Sequence, residues 1–304
     1  MQRSGRFLCL LTALSFASLA GVSVEAEKIF EDDWSSGYWD ADDHKAHSGG
    51  SGWQGVNWKY SQMQSNAAGL AVSTLEGGYA PRKGSHAMQF TWYRNQYDPS
   101  DSNNSSKAHL WTDWEYLTNT DRWYGFSTFL PSGAGGMADD SEWEILVQWH
   151  GRPSTPTEPH RIPPAAILHK DNRLVFKWYY DRNWISTTSS QVLGGQVEIG
   201  PADKNVWIDW LIRIKWSRNN DGIIEINRKN IAPGRTWERQ YQEYNASIGY
   251  YDMSDPQLGI GIYKYDAAKR YNQHGNTNHG SDHYRRRVYF DEVTIATTAN
   301  EAKP

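Results

Sequence analysis

The strongest constraint on this chain is the pattern of its apolar residues. Short runs rich in Val, Ile, Trp, Tyr and Phe recur along it, broken by Gly, Asn, Asp, Ser and Pro, and helical periodicity is almost absent. Residues 87–94, 123–130, 144–150, 174–180, 207–216, 223–227, 258–265 and 289–295 each read as a strand. Strands in such number with no helices between them predict an all-β fold, an antiparallel β-sandwich of the jelly-roll, concanavalin-like kind. No repeat of fixed period and no Pro- or Gly-rich linker interrupts the pattern, so residues 27–304 are expected to form a single domain with a substrate groove on one sheet.

Residues 1–26 read differently. Arg3 and Arg6 precede an apolar run that ends in the small residues around Ala26, the pattern of a cleaved export signal. The expected location is secreted or periplasmic. Without Arg3, Arg6 and Glu25 the formal charge moves from −4 to −5, which argues against a nucleic-acid or membrane-surface partner. Cys9 is the only cysteine and lies in this leader, so no disulfide is expected to brace the sandwich. The 16 Trp and 18 Tyr against 8 Phe favour side chains with a flat apolar face and a polar edge, suited to stacking on sugars as well as to core packing.

Alternation within strands assigns faces. In 258–265, Leu258, Ile260 and Ile262 share one face, and Gly259, Gly261, Tyr263 and Tyr265 the other. In 144–150, strict alternation groups Ile145, Val147 and Trp149 as buried, and Glu144, Leu146, Gln148 and His150 as facing the open side. In 207–216 the Ile and Trp residues are core, and Asp209, Arg213 and Lys215 point outward. The polar stretches 97–107, 152–164 and 272–284 read as loops walling a cleft.

An open face carrying His150, Tyr263 and Gln148 suits β-elimination of a uronate polymer. That reaction needs a base for the C5 proton, an acid for the departing O4, and a group that stabilises charge on the carboxylate. His and Tyr can serve as base or acid, an amide as stabiliser, and no cofactor is required. A structural calcium is left open. His274, His279 and His283 lack a tight metal-ligand spacing, so no metal site is assigned.

The ordered segments Trp123-Tyr124-Gly125-Phe126-Ser127, Gln148-Trp149-His150-Gly151, Asp221-Gly222-Ile223-Ile224-Glu225-Ile226, Gly261-Ile262-Tyr263-Lys264 and Tyr289-Phe290-Asp291-Glu292-Val293 resemble the heparin lyase I-like polysaccharide lyase family, over roughly residues 80–296. The resemblance implies a jelly-roll lyase acting on acidic polysaccharides, with His150 and Tyr263 catalytic and Gln148 beside them. Where relatives carry an Arg-x-Glu-Leu strand that grips the substrate carboxylate, this chain has Lys107-Ala108-His109-Leu110, a point charge in place of a bidentate fork. Lys107, His109, Lys264 and Tyr265 are accordingly expected as substrate contacts, although alternation sets Lys264 opposite Tyr263. Glucuronan, ulvan and alginate fit equally, and the protein is expected to act as a monomer.

Two other readings stand beside this one. Asp140, Glu142 and Glu144 could form the carboxylate pair of a sandwich glycoside hydrolase, which needs carboxyl groups about 5–5.5 Å apart. A non-catalytic carbohydrate-binding module would need the aromatics and no His–Tyr pair.

Overall fold

The computed structural model describes residues 26–34, 39–40, 45–46, 58–63, 68–93, 106–112, 120–133, 135–140, 142–151, 162–183, 193–250, 257–264 and 284–304. In chain order the strands are β1 (Lys28–Asp32), β2 (Trp39–Asp40), β3 (Lys45–Ala46), β4 (Trp58–Met63), β5 (Ala68–Val72), β6 (Ala87–Tyr93), β7 (Ser106–Thr112), β8 (Asp121–Phe129) and β9 (Glu144–His150). They continue as β10 (Ala165–Lys170), β11 (Arg173–Tyr180), β12 (Leu193–Pro201), β13 (Trp207–Lys215), β14 (Ser217–Asn230), β15 (Glu238–Ile248), β16 (Gln257–Lys264) and β17 (Arg285–Ala296), followed by the short helix α1 (Ala299–Ala302).

Two antiparallel sheets account for nearly all of them, so the fold is the expected β-sandwich of jelly-roll type. The eight-stranded sheet runs β15-β14-β13-β8-β17-β6-β5, with β1 pairing β17 beyond the end of β6. The seven-stranded sheet runs β12-β11-β10-β9-β16-β7-β4. Neighbours far apart in sequence, such as β9 with β16 and β8 with β17, make the sheets depend on long-range pairing. Local chemistry helps in places. Asp171 and Asn172, both at positive φ, join β10 to β11 in the two-residue turn whose twist suits a hairpin.

The core lies between the sheets and follows the period of two. Ile208, Trp210, Ile212 and Ile214 of β13 meet Leu258, Ile260 and Ile262 of β16, with Trp149 and Phe176 between them. Those are the faces that alternation assigned. The outward side of β13 differs from expectation at Asp209, which is buried rather than solvated. Arg82, from the segment laid over the eight-stranded sheet, donates to Asp209 through Nε at 2.9 Å and Nη2 at 3.0 Å. The same covering segment encloses a second cluster of Leu75, Ala87, Phe129, Trp207 and Tyr289. At the other end α1 lies on β8 so closely that a Cβ on Gly125 would meet the Ala302 carbonyl at 1.6 Å. Residue 125 therefore has to be glycine for the helix to dock.

Strand β9 departs from strict alternation. Its register with β10 shifts between Ile167↔Val147 and Leu168↔Ile145, leaving Leu146 as an extra residue. Val147 and Trp149 face the core and Gln148 and His150 the other side, as expected. Beyond the bulge the assignments exchange: Leu146 joins the core, while Ile145 packs with Ala166 and Leu168 on the outer face. Glu144 is buried on the inner side. The reading of 97–107 as loop is also corrected at its end, since Lys107 lies in β7.

Candidate active site

Three strands of the seven-stranded sheet place the polar residues on its outer face. On β7, Ala108 and Leu110 enter the core, so Lys107, His109 and Trp111 take the other side. On β16 the same side carries Gly259, Gly261 and Tyr263, and on β9 it carries Gln148 and His150. The register sets Lys107 across from Tyr263, His109 across from Gly261 and Trp111 across from Gly259, with Gln148 facing Gly259 on the other flank.

The two glycines make room for this arrangement. A Cβ on Gly259 would meet the Trp111 ring at 2.6 Å, and one on Gly261 would meet the Ala108 carbonyl at 2.1 Å and the His109 ring at 2.8 Å. Gly261 also has φ +132°, which a side chain rarely tolerates. The rings of Trp111 and His109 thus lie across a strand without side chains of its own at those points. The rings form a continuous ladder: His150 to Trp111 at 6.1 Å between centroids, Trp111 to His109 at 5.5 Å, and His109 to Tyr263 at 5.8 Å.

The floor of this face is dry and its edges are not. His109, Gln148, Ile145, Ala166 and Leu168 are buried, whereas Lys107, Tyr263, His150 and Trp143 are partly exposed. The Lys107 ammonium sits 4.7 Å from the centre of the Tyr263 ring. His109 is fully buried, and burial together with the charge of Lys107 pushes its pKa down to about 3, so its ring is neutral at physiological pH. The Gln148 amide nitrogen lies 3.3 Å from Nδ1 of His109. With the amide donating, Nε2 carries the ring proton. Among the described residues no side-chain partner meets that nitrogen, Oε1 of Gln148 or Nε1 of Trp111. Buried polar atoms are nearly always paired in folded proteins, and three of the unmatched ones among the described residues lie beneath this face.

His150 has its tautomer set by the backbone. Nδ1 donates to the Gly151 carbonyl at 2.9 Å, which leaves Nε2 as the basic nitrogen. The structure does not place it beside Tyr263. Gln257 faces His150, and Tyr263 lies six residues further along β16, with Trp111 and His109 spanning the interval. The group packed against Tyr263 is His109. Nothing in the periodicity alone showed this, because the relation depends on the β7–β16 register.

Two expected site residues need separate mention. Tyr265 lies outside the described residues, as do His274, His279 and His283. Lys264 is not on the outer face. It is 1% exposed and points between the sheets, where Nζ lies 3.0 Å from Asp140 Oδ2 and 3.2 Å from Glu144 Oε2. Glu144 also receives Arg286 Nη2 at 2.6 Å and contacts His169 Nδ1 at 2.7 Å. Burial opposes its charge, but Arg286 and Lys264 hold it well below the ordinary carboxylate range. A lysine committed to two buried carboxylates cannot also reach a ligand on the opposite face. The same cluster takes Glu144 out of the Glu142/Glu144 pair of the hydrolase reading, since Glu144 is buried in ion pairs on the inner side. Among the described residues no group of three or more His, Cys, Asp or Glu is placed to hold a metal ion.

Sequence reasoning passed over Trp111 and Trp143. The signal for Trp111 was present: the alternation that selects Lys107 and His109 continues to it. Trp143 precedes its strand, and only packing against Ile145, Ala166 and Leu168 reveals which face it joins.

Comparison with known proteins bears on the fold and the family. The endo-β-1,4-glucuronan lyase of the fungus Trichoderma reesei superposes with a TM-score of 0.64 at 18% identity, covering 91% of this chain and 98% of that one. An alginate lyase from Aplysia kurodai gives 0.46 at 10% identity, over 76% of this chain and 89% of the other. None of the curated protein sequences matches this chain. The sequence profile described as polysaccharide lyase matches residues 51–294, which include every assigned residue of the outer face. By that match the chain belongs to the polysaccharide lyase family.

Proposed function

We propose that this lyase cleaves a 4-linked uronate polymer of the glucuronan type by β-elimination, with Tyr263 as both base and acid. The observation that carries the reading is the placement of Tyr263, partly exposed beside the Lys107 ammonium, next to the dry His109–Gln148 pair. In 4-linked glucuronate or mannuronate the C5 hydrogen and O4 lie on one side of the ring, so a single group can serve both. Tyr263, as the phenolate, takes the C5 proton. The electron pair forms the C4=C5 double bond, the C4–O4 bond breaks, and the Tyr263 hydroxyl returns the proton to O4. No water is consumed. The partly exposed Lys107 ammonium is the charge available to the carboxylate on which charge accumulates, above the buried His109–Gln148 pair. His150, at the far end of the ring ladder, then contacts a neighbouring sugar rather than the scissile bond.

The choice of glucuronan draws support from the Trichoderma reesei enzyme that shares the fold. The finer kinship with heparin lyase I-like enzymes rests on the QWHG and GIYK segments. Export under the direction of residues 1–26, action as a monomer and independence from any cofactor belong to the same proposal. The test is an ultraviolet scan for the conjugated product against glucuronan, alginate, ulvan and heparin. Rising absorbance with glucuronan is expected. New reducing ends without that absorbance would refute elimination, and absorbance with alginate or ulvan alone would refute the choice of polymer.

A further inference from the structure

Beyond the reacting centre, the outer face of the seven-stranded sheet holds a second cluster. Trp143 packs on the apolar floor of Ile145, Ala166 and Leu168, the floor that also carries Tyr263. Lys170 and Lys177 both place their ammonium groups on the Trp143 ring, at 5.5 and 4.6 Å from its centre. Two like charges are thus gathered over one indole, at a cost in repulsion that a folded protein does not normally leave uncompensated. Burial, and then the proximity of Lys170, lowers the pKa of Lys177.

Lys28, Lys83, Lys215 and Lys264 are paired with Glu31, Glu292, Asp221 and Asp140. Neither Lys170 nor Lys177 makes a hydrogen bond or ion pair with any described residue. Glu198, directly across from Val175 on the neighbouring strand, is taken by Arg173 at 3.3 Å. An aromatic platform flanked by two unmatched ammonium groups has the chemistry to hold an acidic sugar, ring stacked on indole and carboxylate between the lysines.

The register gives the distance. Lys177 lies across from Ala166, and Ala166 across from Gln148. At the spacing of neighbouring strands this is about 10 Å from Gln148, roughly the span of two sugar rings in an extended chain. Only the small side chain of Ala166 stands between them in that row. We infer that Trp143, Lys170 and Lys177 form a further uronate subsite, which binds a sugar on the apolar floor shared with Tyr263. The inference rests on the proposed lyase reading for the direction of the polymer, and on the cluster alone for its ligand.

The test is calorimetric binding with the Lys170→Gln/Lys177→Gln double variant and, separately, Trp143→Ala. Both are compared with the unaltered protein on glucuronan, alginate, ulvan and carboxyl-reduced glucuronan. The partly exposed lysines can be replaced without opening the core, and an unchanged thermal midpoint checks that. The double variant is expected to bind the acidic polymer about tenfold more weakly and with a shallower salt dependence. Its affinity for the carboxyl-reduced polymer should be unaltered. Equal affinity of variant and parent for the acidic polymer would overturn the subsite, as would binding of no acidic polymer at all. Ultraviolet assays on the same samples separate the two claims. Loss of binding in the variant without elimination by the parent leaves the subsite standing and removes the lyase mechanism. Elimination with no effect of the lysines does the reverse.

Discussion

The outer faces of the two sheets are built on opposite principles. On the eight-stranded sheet several outward charges are matched. Arg82 closes on Asp209 in a two-pronged bond, Ser127 adds a third donor to that carboxylate, and Arg213 pairs with Asp121 at 2.6 Å. The 73–86 segment and α1 cover much of what remains. On the seven-stranded sheet, His109 Nε2, Gln148 Oε1 and Trp111 Nε1 are buried without a side-chain partner, and Lys170 and Lys177 share an indole without a carboxylate, among the described residues. A face whose polar groups satisfy one another is scaffold. A face that bears the cost of unsatisfied groups is kept for a ligand that satisfies them.

Four substitutions would break or sharpen this contrast. The largest effect is expected from Tyr263→Phe, which removes one hydroxyl from the unsatisfied face. It should lower kcat by about 10²–10⁴-fold with little change in the unfolding midpoint, and product formation at the parental rate would remove Tyr263 from the mechanism. Arg82→Ala on the matched face should do the opposite. It leaves Asp209 buried with only Ser127, so denaturant unfolding should show a loss of about 2–4 kcal/mol while kcat/KM holds. A drop in kcat/KM with stability intact would mean that the covered face takes part in catalysis.

His109→Asn tests the dry floor through pH. The folded-state pKa of His109, about 3, lies below the ordinary value of 6.5, so the unfolded chain binds the proton first. Stability is therefore complete above about pH 6.5 and is lost as pH falls towards 3. Between pH 7 and pH 5 the parent should lose about 2 kcal/mol that the variant does not, as read by urea denaturation at each pH. Parallel pH curves for the two proteins would show that His109 is not held neutral. The smallest effect is expected from Arg213→Ala. Its partly exposed pair with Asp121 should contribute less than about 1 kcal/mol, and a larger shift in the unfolding midpoint would mean that the outward charges of β13 carry more of the scaffold than their exposure suggests.

All eight strands read from the sequence occur in the structure, within a few residues at their ends except for the longer β14 and β17. Alternation placed the core faces of β13 and β16 correctly. Two of the strands it missed have borrowed stability. β12 (Leu193–Pro201) is rich in Gly and polar residues and β15 (Glu238–Ile248) is largely polar, so neither shows an apolar period. Each stands at the end of its sheet and is held by pairing with a better-packed neighbour. The inversion at Ile145 has another origin. One extra residue at Leu146 reverses the faces beyond it, and no local feature of EILVQWH announces the bulge.

For the site, the sequence by itself determined which residues could do the chemistry and most of the face they share. Gln148, His150 and Tyr263 are set by alternation against a plainly apolar opposite side, whereas Lys107 and His109 came from the family resemblance. Tertiary structure alone decided which of them touch. His109 reaches Tyr263 and Gln148 because β7 pairs with β16 in one register, and because Gly259 and Gly261 leave space for rings from that strand. Lys264 is withdrawn from the site because Asp140, Glu144 and Arg286 converge on it from other strands. Which side a residue faces follows from the two-residue repeat of a strand, which is local. Partnership follows from register and from charges brought together across the fold, and those have no local signature.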